Sequence, residues 1–171
     1  MKSFIELMEP GLYHGSRRHK RLPVFKHEFL VVVPKNPERL KKSTQRKLRV
    51  VNGKKVLVAG GYGETGGFMG LKGLPSNTMK SRLADVGDVD FLKRGKATLR
   101  KVSSKKSTET ARRVAKSSKA FKGSKYPNLW DNMQGKGDNS NTYARSLLNK
   151  LGHKAPRKRE IFTPGGDRRM K

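Results

Sequence analysis

The sequence predicts an α+β fold, a small and largely antiparallel sheet with helices packed on it. Three stretches carry that prediction. Glu28-Phe29-Leu30-Val31-Val32-Val33 is β-branched and apolar on both faces, so it belongs inside a sheet, and Pro34 stops it. Asn52-Gly53 stands between two alternating runs, 47–51 and 54–59, which is the strongest short-range signal for an antiparallel hairpin. Tyr143, Leu147, Leu148 and Leu151 recur at helical spacing after a polar, Gly-rich run, and Gly152 follows where a left-handed cap is expected.

The remaining elements follow in order. Residues 3–8 alternate and read as a short strand ended by Pro10-Gly11. A basic loop comes next, in which Arg17, Arg18, Lys20 and Arg21 are expected to contact phosphates. His14 and His19 have no companions at metal-ligand spacing and read as solvated loop residues. His27 stands at the entrance of the central strand, and Pro37 suits the first position of a short helix.

Residues 60–75 are rich in glycine. Gly61-x-Gly63-x-x-Gly66 matches the dinucleotide fingerprint formally, but further glycines and Pro75 stand where a helix N-terminus must hold the pyrophosphate. The stretch is read as a lid or connecting loop, and no cofactor is expected. Asp85, Asp88 and Asp90 lack the Gly and distal Glu of a calcium loop, so they read as charge balance, and no metal is expected.

From 94 to 125 the chain is dense in Lys, Arg, Ser and Thr. Within it, 107–121 reads as a capped helix with a thin apolar face of Ala111, Val114, Ala115 and Phe121. Its cations Arg112, Arg113, Lys116 and Lys119 are the first candidates for phosphate contacts. Tyr126 and Trp130 anchor the loop that leads to the last helix, where Asp138, Asn139 or Ser140 supplies the cap. One domain is thus expected over 1–152. A basic C-terminal arm over 153–171 carries Arg157, Lys158 and Arg159 as further phosphate contacts.

Composition points to the partner. Among 171 residues, 41 are Lys or Arg against 13 Asp or Glu, a formal net charge of +28. Self-repulsion at that charge opposes the compact state, so a polyanion is the natural partner, nucleic acid first. The absence of cysteine excludes disulfides and thiolate chemistry. The N-terminus carries no signal-peptide pattern and no apolar run reaches membrane-spanning length, so a soluble protein is expected, cytoplasmic or inside a nucleoprotein or virion particle.

A His at the mouth of a central strand, a hairpin, a variable middle and Asn139-Ser140-Asn141-Thr142-Tyr143 at a helix start form a recognisable order. Over 27–33 and 126–152 the chain resembles the circularly permuted papain-like proteins, which include NlpC-related hydrolases, lecithin retinol acyltransferase-like proteins and PPPDE-type peptidases. The resemblance implies a permuted papain-like core with Ser140 at the place of the nucleophilic Cys and His27 as its base. A helix N-terminus and an imidazole activate a thiolate, whereas a serine hydroxyl needs an aligned base and an oxyanion hole. Ser140 therefore has several readings: a working nucleophile of an amide, peptide or ester hydrolase, a laboratory replacement of Cys, a relic in a scaffold that lost its chemistry, or a plain helix cap. The charge favours a degenerate domain that binds nucleic acid or another polyanion, as part of a larger assembly such as a virion or nucleoprotein particle.

Overall fold

A computed structural model describes residues 8–18, 26–63, 78–125 and 139–155. Its strands are β1 (Gly11–Arg18), β2 (Lys26–Val33), β3 (Arg49–Val51), β4 (Lys54–Gly63), β5 (Thr78–Leu83), β6 (Thr98–Ser103) and β7 (Ser124–Lys125). The helices are a short α1 (Lys42–Gln45), α2 (Val86–Lys93), α3 (Ser107–Ala120) and α4 (Ser140–Lys150), with a 3-10 turn at Pro37–Arg39. The sheet runs β6-β1-β2-β4-β5-β7, and β3 pairs with β4. Every pairing among the described strands is antiparallel.

The alternation of β2 explains the two layers around this sheet. Phe29, Val31 and Val33 point to one side and share a core with Val89 and Leu92 of α2. Leu30 and Val32 point to the other and pack with Ala111 and Val114 of α3 and Leu147 and Leu148 of α4. A strand with helices on both of its faces has no polar side, which is why 29–33 is apolar throughout. The expected central strand is there, between β1 and β4. The hairpin is there too: Asn52 and Gly53 take φ of 47° and 76°, the backbone of the tight turn that Asn-Gly favours.

Both long helices lie where periodicity puts them; the cap of α4 is one of those expected, whereas that of α3 is not. The residue before α3 is Lys106, in a left-handed conformation with no side-chain cap bond. Ser107 and Thr108 instead accept the backbone N–H groups of Lys35 and Asn36, each at 3.0 Å, and so dock the helix start onto the chain leaving β2. At α4 the cap is Asn139, whose carboxamide oxygen accepts from the N–H groups of Asn141 at 2.9 Å and Thr142 at 3.1 Å. Gly152, at φ 83°, follows the last turn.

Two expected loops prove to be strand. Arg17 and Arg18 end β1 rather than lying in a loop. Its Gly15 passes under the Phe29 ring, where a Cβ would come within 2.5 Å of a ring carbon. The Gly-rich stretch continues β4 as far as Gly63 and pairs with β5, so the loop expected from 60 does not begin there. Residues 64–77, the expected strand at 3–7, the Tyr126 and Trp130 loop and the arm beyond 155 lie outside the described residues. No helix among those described is long and apolar enough to cross a membrane.

Candidate functional site

The start of α4 is tied to the mouth of β2 by one side chain. The β2–β4 ladder ends at Phe29↔Gly60. Just beyond, the Asn141 carboxamide oxygen accepts the Glu28 N–H at 2.8 Å, and its NH₂ donates to the Lys26 carbonyl at 3.1 Å. It takes the place of a strand, satisfying the backbone on either side of His27. The two stretches joined by the sequence resemblance therefore meet in space, and Asn141 makes the junction.

Ser140 and His27 are not joined. Ser140 is buried, and its hydroxyl donates to the Asn141 carboxamide oxygen at 3.5 Å, a neutral acceptor that cannot take a proton from it. His27 has the parity of Phe29 and turns to the α2 face, where its Nε2 lies 3.1 Å and 3.2 Å from the two oxygens of Asp88. Glu28, one residue on, turns to the α4 face. The expected base thus stands on the far side of the sheet from the helix that carries the expected nucleophile, because strand alternation sends neighbours to opposite faces.

Asp88 gathers a second partner. Arg17, across from His27 in the β1–β2 register, donates from Nε to the carboxylate Oδ1 at 2.6 Å, and its guanidinium lies 4.8 Å over the Phe91 ring. Burial alone would raise the Asp88 pKa. The charge and hydrogen bond of His27, followed by those of Arg17, outweigh it and hold the carboxyl below the usual carboxylate range. Gly60 makes room for this group, since a Cβ there would sit 2.9 Å from an Asp88 oxygen. Arg17 is only 11% exposed, so it holds the fold together instead of facing a phosphate as expected.

The opposite face carries a deeper charged cluster. Glu28, fully buried, accepts from Nε of Arg145 at 3.0 Å and from its Nη2 at 3.4 Å, with His14 at 3.2 Å. His14 is therefore a buried partner and not the solvated loop residue its surroundings in sequence suggest. The signal was present: Glu28 heads the most apolar strand and Arg145 stands beside the Tyr143, Leu147, Leu148 stripe of the last helix, and buried opposite charges in such places need each other. The acidic group at 85–90 separates in the same way. Asp85 caps α2, Asp88 is buried, and Asp90 pairs with Arg94 on the surface. No group of three or more metal-ligating side chains occurs among the described residues.

What remains outside is cationic. Among the described residues every carboxylate except Glu38 stands in an ion pair. On α3, Arg112 pairs with Glu109 at 3.0 Å and donates to the Arg39 carbonyl at 2.8 Å. Arg113 donates to the Lys150 carbonyl at 2.8 Å, near the C-terminal end of α4 where the helix dipole favours a cation. Lys116 and Lys119 are exposed on the same face and enter no ion pair among the described residues. Arg18 is exposed at the end of β1. Lys20, Arg21, Arg157, Lys158 and Arg159 lie outside the described residues.

No protein-family model, curated protein or solved structure matches this chain.

Proposed function

We propose that this is a polyanion-binding protein whose natural partner is nucleic acid. One observation carries the reading: among the described residues every carboxylate but Glu38 is already ion-paired, while Arg18, Lys116 and Lys119 face water outside any ion pair. Such a surface has no internal use, since mutual repulsion of its charges works against folding. Phosphates spaced along a nucleic-acid backbone would remove that repulsion and release counterions on binding. Lys116 and Lys119, three residues apart on an exposed helix face, stand about 4.5 Å apart along the axis, close enough to engage one stretch of backbone. Arg18 supplies a further unpaired cation.

A hydrolase built on Ser140 and His27 gains no support from this arrangement, because each is committed to a different face of the sheet. In this reading the helix-start motif serves the scaffold: Asn139 caps, Asn141 clamps and Ser140 fills the space between them.

The test is a double substitution, Lys116→Gln with Lys119→Gln, titrated against a duplex oligonucleotide over a salt series. Loss of two phosphate contacts should lower the steepness of the log affinity against log salt plot by about 1.8. An unchanged slope would remove α3 from the interface.

A further inference from the structure

The α2 face of the sheet carries a feature that backbone charge alone does not explain. Tyr62 on β4 and Arg82 on β5 have the same face as Gly60, and the Arg82 guanidinium lies 3.9 Å over the Tyr62 ring. Asp85, the cap of α2, holds one edge of that guanidinium by an Nη1–Oδ2 contact of 3.0 Å. The group is thereby held over the ring. It is still 49% exposed at the side chain, so its outward face is open to water. Lys80 is the register partner of Tyr62 and adds a second cation beside the ring.

A planar cation, pinned at its edge and backed by an aromatic ring, is a preformed surface for another flat π-system. Duplex bases have both faces covered by their neighbours, whereas an unpaired base has a face to offer. We infer that the Tyr62–Arg82 stack seats an unpaired nucleobase, so that this face of the protein selects single-stranded over duplex nucleic acid. The inference rests on the polyanion reading above and adds to it. The cations of α3 lie on the other side of the sheet and can hold backbone of either kind, while Tyr62 and Arg82 distinguish the two kinds. The base would lie on the guanidinium, extending the ring–cation pair to three layers.

Arg82→Lys and Tyr62→Leu separate this from simple charge attraction, because the first keeps the charge and the second never had one. Fluorescence anisotropy would be read for a labelled uridine 12-mer, for a duplex of equal length and for unlabelled uridine monophosphate as competitor. Each substitution should weaken the single strand by about fivefold or more, the lower end of what one lost base stack is worth, and leave the duplex within about twofold. Thermal melts followed by circular dichroism that match wild type show that the variants are folded. Equal losses on both nucleic acids, no loss on either, or a monophosphate that competes as well as the 12-mer would overturn the inference. A wild-type protein that binds neither nucleic acid would overturn the polyanion reading with it.

Discussion

At the scale of single residues, the helix-start motif divides its work between two asparagines. Asn141→Ala removes both bonds to the β2 backbone and leaves the Glu28 N–H and the Lys26 carbonyl without that partner. Unfolding in urea should show a loss of about 1–3 kcal/mol, the cost of stranding buried polar groups. Ser140→Ala removes only a long bond to a neutral acceptor, so its stability and its nucleic-acid binding should stay close to wild type. If Ser140→Ala were the more damaging of the two, the division of roles would be wrong. Asp88 gives a pH dependence with a definite sign. Its folded-state pKa lies below the ordinary value of 3.8, so its contribution to stability is complete above that pH and disappears as pH falls through the folded value. Asp88→Asn should therefore be about 3 kcal/mol less stable at pH 7. The gap between variant and wild type should narrow below about pH 4, as measured by urea midpoints at each pH. A gap that stays constant into acid would mean that Asp88 contributes by packing and not by charge.

At the scale of elements, local rules and tertiary context divided cleanly. The central strand, the Asn52-Gly53 hairpin and the two long helices were legible because each has a strong periodic or turn signal of its own. β1 was hidden because Pro10-Gly11 reads as the end of a strand and the basic run after it as a loop, and only the Phe29 ring above Gly15 explains why a glycine serves a strand there. The end of β4 was hidden similarly, since Gly60 is required by the Asp88 carboxylate that fills its side-chain space. α2 was missed because its buried face is short and includes the charged Asp88. The candidate site was legible in its parts and not in its pairing. Alternation says that His27 and Glu28 face opposite ways, but which helix covers which face is decided by packing. That choice sends His27 to α2 and leaves Ser140 with α4. The Tyr62–Arg82 stack was out of reach for a related reason: its tyrosine stands in a stretch read as loop, and its arginine lies on a strand, β5, that sequence reasoning missed.

At the scale of the whole molecule, a two-sided core lies under a surface in which cations outnumber anions. Among the described residues, α3 and α4 pack on one face of the sheet and α2 on part of the other, and each face buries its own ion cluster. Glu28 and Asp88, sequestered in the core, offset little of the cationic charge at the rim, and Glu9, Asp90 and Glu109 are each paired with a cation of their own. With a formal charge of +28 the field outside should be positive in most directions. The central claim is that this field exists to bind nucleic acid, and the salt dependence of affinity tests it most directly. Titrations of the wild-type protein against an oligonucleotide from 50 to 200 mM salt should give a straight, steeply falling line, with affinity dropping roughly a thousandfold if about six phosphates are contacted. A flat line, or no binding at the lowest salt, would contradict it.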